Sequence, residues 1–234
     1  GEDKLAIKFD AGNSKDTQLA EFGKNSTTGD ALIIDGITYT FPVGDKTTVS
    51  VGDSVDGSTL FNTACVYGGP SDTLDDCGNV NAAIGKGSKT YAGASYDFEN
   101  GLTAALGYTG AGSSSNGLLT KEGADAYALQ LAYADDAYGL SVTYANVEDA
   151  TSLADTTSWA FNGYWSPDST GSLPSISVGY ELDDPETAGA KDTSSYFVGL
   201  TWDEVGPGSF GVALGTKSPV EEGATELLMY EAYY

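Results

Sequence analysis

Hydrophobic and polar residues alternate with a period of two in many parts of this chain. In the stretch "SYDFENGLTAALGYTG", Tyr96 and Phe98 share one face before a short turn, and Leu106 and Tyr108 share one face after it. Successive side chains of a β-strand point to opposite faces. The pattern therefore predicts two strands, each with one apolar face, joined as a hairpin.

The same alternation recurs in about twelve segments, each of which we predict to be a strand. In "KLAIKFDAG", Leu5, Ile7 and Phe9 are expected on the apolar face, and in "IIDGITYTF" Ile33 and Ile37 are expected there. The hairpin above supplies two further strands. The remaining segments are "TTVSVGD", "AYALQLAY", "YGLSVTYA", "SWAFNGYW", "SISVGYEL", "YFVGLTW", "SFGVALG" and "ELLMYEAYY".

The connections between these strands are alternately long and short. The long ones cover residues 13–30, 54–87, 111–123, 146–156, 183–193 and 217–225. The short ones centre on "VGDK", "ENG", "DDA", "PDSTGSLP" and "DEVGPG", which are rich in turn-forming residues. Short turns at one end and long loops at the other are typical of outer-membrane barrels. A Greek-key sandwich gives no reason for this regular order.

Aromatic residues on the apolar face give an independent indication. They gather near the two ends of the predicted strands, with mostly aliphatic residues and glycine between them. A bilayer selects such an arrangement because amphipathic rings favour both headgroup regions. The predicted lipid-interface aromatics are Phe41, Phe98, Tyr133, Tyr138, Trp165, Trp202 and Phe210 at the turn end, and Tyr108, Tyr127, Tyr144, Trp159, Tyr180 and Tyr196 at the loop end.

The opposite face is small and polar. In a barrel such a face lines a lumen that holds water, whereas a sandwich needs a continuous apolar core. The predicted pore-lining residues are Lys8, Asp10, Thr48, Ser50, Tyr91, Asp97, Thr103, Gln130, Thr143, Asn162, Tyr164 and Thr201. Of these, Tyr91 and Tyr164 are expected to stack on sugar rings.

Composition narrows the possible partners. The chain has 34 acidic residues against 10 lysines, with no arginine or histidine, and a formal net charge of -24. Nucleic acid is an unsuitable partner because phosphate binding needs basic patches. A water-filled pore with this charge is expected to prefer cations. The start "GEDKLAIKFD" is not a signal peptide, so the chain is expected to be mature or a fragment.

Cys65 and Cys77 lie in the longest loop, within "TACVYGGPSDTLDDCGNV". No histidine is available to complete a zinc site, and a close cysteine pair in an exported loop most simply forms a disulfide, which would make the loop rigid. A redox role is the alternative, although the pair lacks the C-x-x-C spacing.

Acid-rich loops offer the oxygen ligands that Ca²⁺ prefers. The candidates are Asp72, Asp75, Asp76, residues 166–172 and residues 180–192, none with the spacing of a calcium loop. We therefore expect no metal site and no cofactor, with loop-bound Ca²⁺ as an open alternative. Because a histidine-based triad, a G-x-S-x-G motif and a phosphate loop are all missing, we predict no enzyme activity and no catalytic residues.

Five stretches point together to one known family: "AGASYDFENGLTAALGYTG", "TACVYGG...DDCGNV", "GYWSP", "YFVGLTWDEVGPGSFGVALGTK" and "LLMYEAYY". They resemble the carbohydrate-selective, OprB-type porins, and most closely the cyanobacterial branch that is also labelled iron uptake porins. The resemblance implies a trimeric outer-membrane barrel of about 16 strands. Its solutes would be sugars and inorganic ions, iron among them.

The chain departs from that family in three respects. About four strands of the family barrel are missing, so the chain is expected to be incomplete, with residues 1–234 forming one porin domain. The S-layer-homology domain, through which family members bind cell-wall polymers, is not present. The arginine clusters that often narrow porin channels are also missing, so a constriction must use Lys8, acids or polar groups.

Together these observations predict an all-β, antiparallel, up-and-down transmembrane β-barrel in the cell outer membrane of a Gram-negative, cyanobacterial type of bacterium. It is expected to be a homotrimer in contact with outer-membrane lipid and lipopolysaccharide, and to let small hydrophilic solutes diffuse through a water-filled channel. Two alternatives remain open. One is a secreted or surface β-sandwich adhesin, and the other is a structural barrel that does not conduct.

Overall fold

The computed structural model describes residues 2–11, 31–68, 74, 77, 89–111, 117–120, 124–148, 154–167 and 173–234. The regular elements in these ranges are β-strands. No helix in the described ranges is long and apolar enough to cross a membrane.

The strands are numbered in chain order. They are β1 Lys4–Asp10, β2 Ile33–Val43, β3 Thr47–Asp53, β4 Thr90–Asp97, β5 Leu102–Gly110, β6 Asp125–Ala134, β7 Tyr138–Glu148, β8 Asp155–Trp165, β9 Ser175–Pro185, β10 Thr193–Val205, β11 Gly208–Thr216, β12 Val220–Glu221 and β13 Leu228–Tyr233.

Neighbours in sequence are also neighbours in the sheet. Strands β1 to β11 pair one after another, β13 pairs with β11, and every pairing is antiparallel. The two-residue β12 lies off this path and pairs with β10. The predicted up-and-down meander is confirmed, and the described strands form one sheet rather than the two sheets of a sandwich. Among the described residues, β1 and β13 do not pair with each other, so the sheet is open along these strands.

The short turns are held by side chains that accept backbone hydrogen bonds. In the β6–β7 turn, Asp135 Oδ1 accepts from the N–H groups of Ala137 and Tyr138, both at 2.8 Å. The bond from Tyr138 is the main reason why the pKa of Asp135 is lowered. In the β4–β5 turn, Gly101 has a φ of +84°, a conformation that glycine adopts without steric cost. These are the residue types that tight hairpins require.

Alternation places one face of the sheet outward and the other inward. On β6 the residues from Ala126 to Ala132 are alternately buried and exposed, with Leu129 and Leu131 outward. One part of the predicted alternation is wrong: β2 has a bulge at Asp35, so that Phe9 pairs with Ile34 and Asp10 pairs with Ile33. The extra residue puts Ile34 rather than Ile33 opposite the outward Phe9.

Aromatic side chains pair on the outer face at both ends of the strands. At the turn end, Tyr133 and Tyr138 stack with ring centroids 5.3 Å apart, and Trp202 lies 5.7 Å from Phe210. At the loop end, Tyr144 is 5.1 Å from Trp159 and 6.4 Å from Tyr127. Such cross-strand pairs stabilise a sheet by about 0.2–1 kcal/mol each. Contact of these rings with lipid stays a prediction.

Leu106 tests whether this outer face lies in a bilayer. It is 49% exposed near the middle of β5 and pairs with Leu129 of β6. We expect Leu106→Arg to lower the free energy of unfolding of the bilayer-inserted protein by about 2–4 kcal/mol, because the guanidinium must leave water near the bilayer midplane. Urea titration in lipid vesicles would measure the change.

Leu227→Arg is the matched control. Leu227 is 61% exposed and lies outside the strands, so the same substitution there should change the free energy of unfolding by less than about 1 kcal/mol. Equal effects of the two variants would contradict a lipid-facing position for Leu106.

Candidate functional site: the inner face and its strap

A segment between β3 and β4 crosses the inner face of the sheet. We call residues 54–68 the strap. Near its start, Gly57 lies against Gly107 of β5, so closely that a Cβ at Gly107 would overlap the Gly57 carbonyl oxygen. Two short turns follow, in which Thr59 N–H donates to Asp56 O and Phe61 N–H donates to Ser58 O. The strap is therefore a folded segment in direct contact with the sheet.

The middle of the strap is attached to β6 and β7. Asn62 N–H donates to Gln130 Oε1 at 2.7 Å, and the amide nitrogen of Gln130 donates to Thr143 Oγ1 at 3.0 Å. The Ser141 hydroxyl donates to the carbonyl oxygen of Thr63 at 3.4 Å. These bonds satisfy backbone groups of the strap that would otherwise be buried without partners, at a cost of about 1–3 kcal/mol each.

The end of the strap is attached to β9 and β13. The N–H groups of Val66 and Tyr67 both donate to Ser177 Oγ at 3.1 Å. The Tyr67 hydroxyl donates to Glu231 Oε1 of β13 at 2.6 Å. One serine of β9 and one carboxylate of β13 thus hold the strap at the far side of the sheet.

Tyr67 is the apolar anchor as well. Its ring is 5.3 Å from that of Phe197 and 5.7 Å from that of Tyr233, both on the inner face. It is buried in one cluster with Leu74, Cys77, Phe197, Ala160 and Ala213. Burying a ring of this size contributes roughly 2–3 kcal/mol from apolar area alone.

The predicted disulfide is confirmed. Cys65 at the end of the strap is bonded to Cys77, and Cys77 is completely buried. The bond holds the strap to the segment that brings Leu74 against Gly215 of β11. It therefore joins two parts of the chain that both pack on the inner face. That it makes the loop rigid stays a prediction.

Small side chains on the sheet make this approach possible. Phe61 packs against Ala126 and Ala128 of β6 and Ala145 of β7. A Cβ at Gly199 of β10 would overlap the ring of Tyr67. Alanine and glycine on the inner face thus provide room for the strap. That they line a lumen stays a prediction.

A polar cavity of about 260 Å³ remains beside the strap. It lies between the inner face of β1 and β2 and the first residues of the strap, and Lys8, Asp35 and Asp56 contribute its charged groups. Thr38, Ser54 and Thr59 add hydroxyl groups. Two carboxylates and one ammonium group give the described lining a formal charge of -1.

The predicted pore-lining residues divide into two groups. Lys8, Asp10, Asp97, Thr48, Thr103 and Tyr164 are exposed or half-buried, whereas Ser50, Tyr91, Gln130, Thr143, Asn162 and Thr201 are buried. Lys8 lines the cavity and Gln130 binds the strap. Tyr91 is 1% exposed, so the structure leaves no ring face open for the predicted stacking on a sugar. The pore-lining role of the others stays a prediction.

Sequence reasoning missed the residues that hold the strap. Ser177, Glu231 and Tyr67 were not among the predicted site residues, and neither were Asp35 and Asp56 of the cavity. Period-two alternation places Ser177 and Glu231 on the inner face, which is a weak signal. Their contacts with a segment more than a hundred residues away along the chain carry no signal in one sequence.

Loop-bound Ca²⁺ stays a prediction, because the acid-rich segments fall only partly within the described part of the chain. There, no three Cys, Asp or Glu side chains are grouped closely enough to hold a metal ion. Asp72, Asp75, Asp76 and Asp168, which belong to the proposed calcium segments, lie outside the described residues.

Comparison with known proteins supports the fold. The chain is similar to a loop L8 deletion mutant of OmpT, an outer membrane protein of Vibrio cholerae, with a TM-score of 0.53 and 15% identity over 99% of this chain and 75% of that chain. It is similar to the trimer form of in-vitro folded OmpT, with a TM-score of 0.52 and 13% identity over 98% of this chain and 75% of that one.

An anion-selective porin from Comamonas acidovorans aligns with a TM-score of 0.48 and 14% identity over 86% of this chain, which spans 60% of the length of that porin. No family model and no curated protein sequence matches. The similarities therefore show the fold alone, an all-β antiparallel sheet like that of outer-membrane β-barrel porins.

Proposed function

We propose that this chain forms the wall of an outer-membrane channel through which small hydrophilic solutes diffuse passively. The observation that carries the proposal is the difference between the two faces of the sheet. The outer face exposes leucine, valine and aromatic side chains, while the inner face carries hydroxyl, amide and carboxylate groups. A water-filled interior and a lipid exterior account for both faces. The fold shared with an outer membrane protein supports this setting.

The strap sets the size limit in this proposal. It crosses the inner face from β5 to β13 and leaves the cavity beside β1 and β2 as the polar space near its start. Solutes would pass between the strap and the β1–β2 wall, where Lys8 and Asp56 both line the cavity. The proposed action is diffusion limited by size and biased by charge, with no catalytic step.

The proposed charge preference is for cations. Asp35 and Asp56 outweigh Lys8 in the cavity, and the whole chain carries a formal charge of -24. In water-like surroundings one unit charge about 4 Å away contributes about 1 kcal/mol, which is enough to bias the permeant ion. The proposed solutes are inorganic ions, iron among them, and sugars.

The finer features of the proposal come from the OprB-type resemblance. They are a homotrimeric assembly, contact with lipid and lipopolysaccharide, and membership of the cyanobacterial branch of porins. OmpT, whose fold is similar, has a trimer form, and this supports the proposed trimer. Loop-bound Ca²⁺ belongs to the proposal only as an addition that does not affect conduction.

The strap also favours a second candidate function. Because it covers the inner face of β5 to β10 and is held by buried side chains, the same fold could serve as a structural barrel that does not conduct. The two candidates differ in whether the cavity beside the strap connects the two sides of the membrane.

Single-channel recording in planar lipid bilayers, made with a variant of Ser177, separates these candidates. Ser177→Ala removes the acceptor for Val66 N–H and Tyr67 N–H. We expect wild-type protein to show discrete conductance steps. In the variant the strap should move, because two buried N–H groups lose their partner at a cost of about 1–3 kcal/mol each. The open level should then become noisier and the size limit for sugars in liposome swelling should rise.

Ser175→Ala is the matched control, because Ser175 lies two residues earlier on the same buried face and makes no hydrogen bond to the described part of the strap. Absence of conductance in both wild type and Ser177→Ala would contradict the channel and leave the structural barrel. Identical noise and size limits in the two serine variants would contradict the role of the strap.

Charge selectivity is tested by the reversal potential in a salt gradient. We expect wild-type protein to favour cations. The double variant Asp35→Asn, Asp56→Asn should reduce the cation-to-anion permeability ratio several-fold, because it reverses the sign of the described charge in the cavity. The control, Asp203→Asn with Glu204→Gln, removes two exposed acids at the end of β10. Anion preference in the wild type would contradict the proposed selectivity.

A further inference from the structure

A groove on the outer face lies where the β5–β6 connection meets the strands. We call it the rim groove. Its volume is about 750 Å³, which is within the range of small-molecule sites. Leu106 and Tyr108 of β5, Tyr127 and Leu129 of β6, and Leu119 of the connection form its apolar wall. It lies at the loop end of the sheet and is distinct from the inner face.

Leu119 is held against the sheet by a chain of hydrogen bonds. Its N–H donates to the Tyr108 hydroxyl at 3.1 Å, and that hydroxyl donates to Asp125 Oδ1 at 2.8 Å. Gly110 permits this arrangement, because a Cβ there would overlap the Tyr108 hydroxyl, Asp125 and Leu118. Leu119 is thereby fixed over the outer face of β5.

Leu119 combines an unusual backbone conformation with an exposed side chain. Its φ is +60°, a left-handed conformation that residues with a Cβ seldom adopt. Its side chain is 79% exposed, outside the strands but beside the apolar wall. An apolar chain in the rim groove would cover Leu119 together with Leu106 and Leu129, and would so account for an apolar side chain at this position.

The rim of the groove carries negative charge. Asp125 begins β6, and Glu148 of β7 is paired with Asp155 of β8. Asn146 Nδ2 donates to Asp155 Oδ2 at 3.3 Å. The polar groups among the described lining residues are acidic or neutral. Carboxylates accept hydrogen bonds from hydroxyl groups and repel phosphate.

We propose that the rim groove binds a membrane lipid whose headgroup is an uncharged, hydroxyl-rich sugar. The acyl chain lies between Leu119 and the wall formed by Leu106 and Leu129, and the sugar hydroxyls donate to Glu148 and Asp155. Three rim carboxylates disfavour a phosphate-bearing headgroup in the same place. Such a site requires the membrane setting proposed above but not an open channel.

Native mass spectrometry of the purified protein tests the site with two lipids that have identical acyl chains. One is a galactosyl diacylglycerol, which is uncharged, and the other is phosphatidylglycerol, which is anionic. We expect the wild type to retain the galactosyl lipid at a concentration about tenfold lower than phosphatidylglycerol. Retention is read as the fraction of protein that carries one lipid adduct.

Two variants locate the binding. Leu119→Ser should raise the concentration needed for the galactosyl lipid several-fold, whereas Leu140→Ser, which replaces a 61% exposed leucine on the outer face of β7 outside the groove, should not. Glu148→Gln with Asp155→Asn should bring the two lipids closer to equal retention. Heat-modifiable gel mobility equal to that of the wild type shows that each variant is folded.

Three outcomes overturn the site. The first is equal retention of the two lipids by the wild type, and the second is equal behaviour of the Leu119 and Leu140 variants. The third is that Leu119→Ser dissociates an oligomer of the protein while its lipid adducts do not change. The last would assign the groove to a second copy of the chain. If the proposed lipid site is wrong, the wild type should still conduct. If the proposed channel is wrong, the wild type should still retain the lipid.

Discussion

The contact of the strap with the inner face is the constraint on which the rest of the structure depends. A backbone segment can lie against a sheet only where the sheet has small side chains and offers partners for the buried N–H and C=O groups. Gly107 and Gly199 provide the space, while Gln130 and Ser177 provide the hydrogen bonds. Each of these residues belongs to a different strand, so the strap connects β5, β6, β9 and β10 across the inner face.

This contact explains why the inner face is buried without being apolar. Ser50, Asn162 and Glu181 are almost completely covered, although their side chains are polar or charged. Covering such groups is tolerable where hydrogen bonds remain. The outer face shows the opposite relation, because its leucine and aromatic side chains are exposed. Covered polar side chains on the inner face and exposed apolar side chains on the outer face are the physical basis of the proposed channel. The rim groove is a local feature of the outer face.

Prediction from sequence succeeded where local rules act alone. The strands, their order and the short turns follow from period-two alternation and from residues such as Asp135 and Gly101, whose preferences act within a few positions. It failed at Ile33, because a bulge inserts one residue without any change in composition. It also failed at Tyr91, because burial by a distant segment cannot be deduced from the alternation of its own strand.

The sequence by itself determined the all-β class, the meander, the two chemically different faces and the pairing of Cys65 with Cys77, because each depends on side-chain alternation, turn residues or the number of cysteines. Only the tertiary structure decided that the disulfide lies against the sheet, that Tyr67 reaches Glu231 and that Leu119 overhangs the outer face. The contact of Tyr67 with Glu231 joins residues that are 164 positions apart in the chain. The energies of such contacts depend on which strands are neighbours in the sheet. No local sequence pattern encodes which strands these are.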